Sequence, residues 1–233
     1  MDMHLATFKH GGTLTRASLR HAGRAAGVIA LAFGALLATA QPSPADDVPT
    51  DGSDVEAART IDNIIPTSHY DTPCRKGILC QTDNAQLTYY MDSGGSNALE
   101  SDDKATVRSV LSHEYGSTDF SVSYDSTPSW SGDSETDIYY SEGTVSGSDN
   151  GYTYCENAAP GMYKCDQQYV KIEPGHWSSG LVCHETGHAV GFVHGEDASP
   201  VVGMQDSRLG CMKKNVGSEG LGDNNRRNIN SVY

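Results

Sequence analysis

Basic residues are scarce in this 233-residue chain: 16 Lys and Arg stand against 30 Asp and Glu, a net charge of −14. Four of those bases, Lys9, Arg16, Arg20 and Arg24, fall in the first forty residues beside a single acid, Asp2. Without that segment 12 basic and 29 acidic residues remain, a net charge of −17. Such a surface repels nucleic acid and anionic lipid, and excludes both as expected partners. Long apolar runs are equally scarce. The one candidate, residues 25–40, is 16 residues long and contains several Ala and Gly. That is short of the about 20 residues that a membrane span needs. It follows a basic stretch and closes on Ala38-Thr39-Ala40, the pattern of a secretory signal peptide over residues 1–40. That stretch holds no twin-arginine pair, which points to the general secretion route. Nothing later is apolar enough to cross a membrane, and no internal repeat is evident. We expect a secreted, extracellular protein whose oligomeric state the sequence does not set.

Against these absences stands one dense motif. Residues 184–194 read His-Glu-Thr-Gly-His-Ala-Val-Gly-Phe-Val-His, that is H-E-x-x-H-x-x-G-x-x-H. A chance match at these spacings is on the order of 10⁻⁴ or less, which makes coincidence a poor explanation. On a helix, positions four apart share a face, so His184 and His188 can point at one ion. Glu185 lies beside the first ligand but off its axis, where it can reach a water on that ion. Gly191 can take a positive φ and end the helix, letting the chain bend back and bring in His194. Three protein ligands with one open position describe a catalytic zinc site, whereas structural sites are closed by four. An amphipathic core helix with incidental histidines accounts for this poorly. Three imidazoles and a carboxylate converging on one point are costly to bury without a metal.

All six cysteines, Cys74, Cys80, Cys155, Cys165, Cys183 and Cys211, lie beyond the signal segment. An even count outside the cell suggests three disulfides, for which sequence alone allows 15 pairings. Joining near neighbours gives Cys74–Cys80, Cys155–Cys165 and Cys183–Cys211, and the last of these would pin the metal-bearing helix to a later loop. No cysteine precedes Cys74, so a propeptide that blocks the metal with a thiol is not expected.

Residues 41–65 are Pro-, Asp- and Ala-rich without apolar periodicity and read as a linker or short propeptide. Residues 66–233 then form the catalytic domain. Gln86–Met91 has strand composition. Residues 97–115 read as a helix capped by Ser101, with Ala105, Val107, Val110 and Leu111 as its apolar stripe. Phe120, Val122 and Tyr124 alternate as a half-buried strand. Residues 137–140 form another, residues 143–151 a loop, residues 152–154 an edge strand and residues 168–172 a further strand. The zinc helix, capped by Ser178 or Ser179, runs to about Val190, and residues 223–232 form a C-terminal helix. This order suggests a small α+β domain, a mixed sheet above an active-site helix.

At the eleven-residue motif the chain resembles a metzincin zinc endopeptidase, and Cys183 before it with Cys211-Met212 after it resembles small secreted bacterial metzincin-like metalloproteases. The resemblance is specific over about residues 183–212. It implies a zincin domain, with Zn²⁺ held by His184, His188 and His194 and with Met212, in preference to Met204, in the turn below the metal. It implies hydrolysis of peptide bonds in protein or peptide substrates through a zinc-activated water, with Glu185 as general base. Two departures stand out. Lys214 follows Met212 by two, where some relatives place a Tyr near the reacting carbonyl. Asp197 and Glu219 are further candidate ligands, which His194 makes unnecessary. A secreted zinc-binding or adhesion module without catalysis, and an amide hydrolase acting on cell-wall polymer, are the alternative readings. Ca²⁺ in the acidic loops around residues 133–149 is a further expectation, although no EF-hand spacing is present.

Overall fold

The computed structural model describes residues 60–132, 134–147 and 149–233. The expected signal segment, residues 1–40, and most of the expected linker, residues 41–65, lie outside the described residues. Chain order gives β1 (Gln81–Thr82), β2 (Gln86–Met91), α1 (Ser101–Val110), β3 (Ser121–Tyr124), β4 (Ile138–Glu142), β5 (Gly151–Ala158), β6 (Lys164–Ile172), α2 (Ser179–Ala189) and α3 (Gly222–Val232). The six strands form one sheet in the order β1-β6-β4-β2-β3, with β5 on β6. Only β5 runs antiparallel to its neighbour; the other pairings are parallel. Parallel neighbours need long crossovers, and β2 and β3, which pair, are joined through α1. The architecture is mixed α/β with a mostly parallel sheet, where α+β was expected.

One face of the sheet makes the core. Leu87, Tyr89 and Met91 of β2, Ile138 and Tyr140 of β4, and Val170 and Ile172 of β6 are all buried and alternate along their strands. Onto them pack Val107, Val110, Leu111 and Tyr115 from α1 and its π-helical extension Leu111–Tyr115. Val182, Cys183, Ala189 and Val190, from α2 and its C-cap, join them. The opposite face carries a ladder of rings. Tyr152, Tyr154, Tyr169, Tyr139 and Tyr90 stand in succession at centroid distances of 4.8–5.7 Å, and Trp130 packs edge-on against the last two. Cross-strand aromatic pairs of this kind stabilise a sheet by up to about 1 kcal/mol each.

Several local expectations shift. α1 starts at Ser101, so Glu100 rather than Ser101 is its N-cap, and the Glu100 amide donates to Asp103 Oδ2 at 3.2 Å. Ala105 is exposed, and the buried stripe is Val107, Val110, Leu111 and Tyr115, a spacing that follows the helix period. Tyr124 is 42 % exposed because β3 is the edge of the sheet. β6 begins at Lys164 and β5 runs on to Ala158, both longer than their apolar residues indicated. The two-residue β1 had no sequence signature. The core also begins earlier than composition suggests. Ile61, Ile64 and Ile65 are buried, and residues 62–65 pair with the chain just after α2: Ile65 N–H donates to Gly191 O at 2.9 Å and Val193 N–H to Asn63 O at 2.8 Å.

Three disulfides are present, Cys74–Cys80, Cys155–Cys165 and Cys183–Cys211, and no described cysteine is free. Among the described residues no helix is long and apolar enough to cross a membrane.

Candidate metal centre

α2 begins where Ser178 Oγ accepts the Leu181 amide at 3.2 Å, as its place before the apolar run predicts. It ends at Ala189 with Val190 as C-cap, and Gly191 turns the chain with φ 98°, a conformation that also brings its Cα against Gln81 with no room for a side chain. The turn brings His194 back over the helix. His188 Nε2 and His184 Nε2 are then 3.1 Å apart, and His194 Nε2 and His184 Nε2 3.2 Å. Nitrogens at 2.0–2.1 Å from one tetrahedral zinc stand about 3.3 Å apart, so the donor set fits such an ion.

The protonation of the rings agrees. His184 Nδ1 is 2.7 Å from Cys211 O, and His188 Nδ1 is 2.8 Å from Phe192 O. A carbonyl only accepts, so each Nδ1 carries the hydrogen and each Nε2 keeps its lone pair for the common point. Burial, with His194 nearby, lowers the His184 pKa to about 4. Burial likewise holds His188 well below and His194 below the ordinary imidazole range. All three are neutral at neutral pH, the form that ligates. Among the described residues this is one of two groups of three potential ligands; the other, Cys74, Cys80 and Cys155, consists of disulfide sulfurs, which offer no thiolate. No three carboxylates converge among the described residues, and residues 133 and 148 of the expected calcium loop lie outside them.

The helix is held from three sides. The Cys183–Cys211 bridge ties the residue before His184 to the segment whose carbonyl orients His184. Met212 is fully buried with its thioether against Gly187, whereas Met204 is half-buried and its carbonyl accepts the Lys214 amide at 3.0 Å. From α1's π-helical extension Tyr115 Oη donates to Cys183 O at 2.6 Å, and from the sheet Tyr140 Oη meets Thr186 Oγ1 at 2.8 Å.

Glu185 is 4 % exposed and lines the same cleft, a cavity of about 1010 Å³, with the three histidines. Burial raises its pKa to about 7, against the opposing pull of the Thr153 hydroxyl. Thr153 Oγ1 lies 2.7 Å from Glu185 Oε2. Neither Thr153 nor Gly151, which also touches this carboxylate, was singled out from sequence. Strand composition marks Tyr152–Tyr154 as an edge strand, but which helix residue it faces depends on tertiary register. Asp149 and Lys214 line the cleft as its acidic and basic walls, and Lys214 is close enough to lower the His194 pKa. Asp197 raises the His194 pKa from nearby but does not join the converging nitrogens, and Glu219 is engaged with Lys213 at 3.1 Å. No protein-family model matches the chain, and no curated protein matches it either.

Proposed function

We propose that this chain is a secreted, zinc-dependent endopeptidase of metzincin type. One observation carries the reading: three neutral imidazoles converge through Nε2 in a cleft, with a buried glutamate beside them. His184, His188 and His194 would hold the zinc, which when bound supplies a Lewis acid that acidifies water and polarises a carbonyl. Three ligands leave the ion open to the cleft, which suits catalysis better than a closed structural site. Glu185 takes a proton from the attacking water and returns it to the leaving amine, work for which a carboxylate raised towards neutrality is suited. Met212 floors the helix, and the Cys211 and Phe192 carbonyls fix the ligand tautomers.

The test measures cleavage of casein and of a peptide library alongside metal content. We expect a chelator to abolish cleavage and zinc to restore it. Glu185→Ala should lose about 10²–10⁴-fold in kcat while keeping its metal, and His188→Ala should lose the metal itself. Full activity of Glu185→Ala, or in the presence of chelator, overturns the mechanism. Stoichiometric metal without peptide turnover would support the binding-module reading, and release from cell-wall polymer alone would support the amide hydrolase.

A further inference from the structure

We propose that Thr153 is a positioning residue for Glu185, its hydroxyl fixing one carboxylate oxygen so that the other stands free in the cleft. The inference rests on the peptidase reading and deepens it. A glutamate side chain has three rotatable bonds, and a base that must meet a water in one geometry gains from having them locked. Thr153 Oγ1 is 2.7 Å from Glu185 Oε2 and 2.9 Å from the backbone oxygen of the same residue. The hydroxyl has one hydrogen, and a carboxylate makes the stronger acceptor.

Two positions earlier on β5, and so on the same face of the strand, Gly151 passes directly under Oε1, where any side chain would overlap it. Residues 151 and 153 thus form a slot, with a hydroxyl holding one oxygen and bare backbone beneath the other. Oε1 has no protein hydrogen-bond partner among the described residues. Thr153 is 7 % exposed and Glu185 4 %, so the bond is sheltered from solvent except on the side of the cleft. β5 is itself fixed by its antiparallel register on β6, in which Gly151 faces Ile172 and Thr153 faces Val170.

The competing account is a plain strand-to-helix tie through the Glu185 backbone oxygen. The two differ in what they require of residue 185: a tie works whatever its side chain, whereas positioning works only through the carboxylate.

The experiment compares Thr153→Val, Thr153→Ala and Thr153→Ser in the metal-loaded full chain, with peptide turnover, metal stoichiometry, metal affinity by chelator competition, and Tm all measured. We expect Val and Ala each to lower kcat about 10- to 100-fold, the weight of a hydrogen bond to a charged group. KM, metal stoichiometry and metal affinity should stay within about twofold, as expected when transition-state stabilisation falls while substrate binding is unchanged. Ser should return kcat to within about threefold of the parent, because it restores the same donor. On a Glu185→Ala background, Thr153→Val should cause no further loss, the non-additivity of residues acting as a unit. Unchanged kcat in Val or Ala overturns the inference alone. So does a loss that follows metal loss, a loss shared in full by Ser, or one repeated on the Glu185→Ala background. A metal-loaded parent chain that turns over no peptide overturns the peptidase reading, and this inference with it.

Discussion

Asp137 stands at the head of β4 with its Oδ2 accepting the Thr88 amide at 2.6 Å and the Thr88 hydroxyl as well. Burial nonetheless lifts its pKa to about 7, and the carboxylate of Asp83 beside it adds to the rise. In the unfolded chain the group titrates at about 3.8. Between those values the folded chain holds a proton that the unfolded chain has lost, so this group's contribution to stability falls as pH rises from about 4 to about 7. Asp137→Asn cannot ionise and keeps an acceptor for Thr88. Urea unfolding should show the variant gaining on the parent as pH rises from 4 to 7, by up to about 3 kcal/mol. Equal pH slopes in the two proteins would refute this. Legibility in sequence differs sharply at this scale. His184, Glu185, His188 and His194 could be read because eleven consecutive residues fix their own geometry through the helix period and one glycine turn. Asp137 and Thr153 act through partners 49 and 32 positions away, and no local spacing encodes such a meeting.

For the elements, the tether on α2 sets the clearest expectation. Cys183–Cys211 closes a loop with a sequence separation of 28 that contains all of the motif from His184 to His194. Loop closure of that length is worth about 3–4 kcal/mol in the chain-entropy account. The double variant Cys183→Ala, Cys211→Ala should lose about that much in denaturant titration. It should also bind metal more weakly, since the carbonyl that orients His184 sits on the freed segment. Metal affinity equal to that of the parent would show that Met212 and Tyr115 hold the helix without the bridge. Helices and long strands were legible where amphipathic spacing or capping chemistry marks them, as in Val107–Val110–Leu111 or Ser178. β1 was not, because Gln81-Thr82 has no alternation and is drawn into the sheet by Lys164 and Cys165. Nor was the sheet's direction: parallel pairing of β2, β3, β4 and β6 is a property of crossovers, which leave no period in the strands themselves.

Across the molecule, the two ends of the described chain brace each other. Asn224 takes the Ile61 amide at 2.9 Å and returns a bond to Ile61 O at 3.0 Å, while Asn228 Nδ2 reaches Ile61 O and Asn63 Oδ1, each at 2.8 Å. The helix is rich in polar residues, yet Asn224, Asn225 and Asn228 are buried because they serve backbone groups that no strand satisfies. Asn224→Ala would leave a buried amide and carbonyl without this partner and should cost about 2–3 kcal/mol in unfolding free energy. A change below about 0.5 kcal/mol would mean that water or Asn228 takes over.

The same bracing reaches the ligands. Asn63 and Ile65 bond the chain at Val193 and Gly191, the stretch that carries His194, and the Tyr233 hydroxyl donates to Val190 O at 2.9 Å. Synthesis supplies these parts in a fixed order. A nascent chain stalled at residue 221 would already contain His184, His188 and His194, but not the helix that steadies residues 61–63 or the tyrosine that fastens Val190. On the zinc reading, competence to grip a metal would arrive late, after the ligands themselves, and a half-made chain would carry the motif without the frame that closes it.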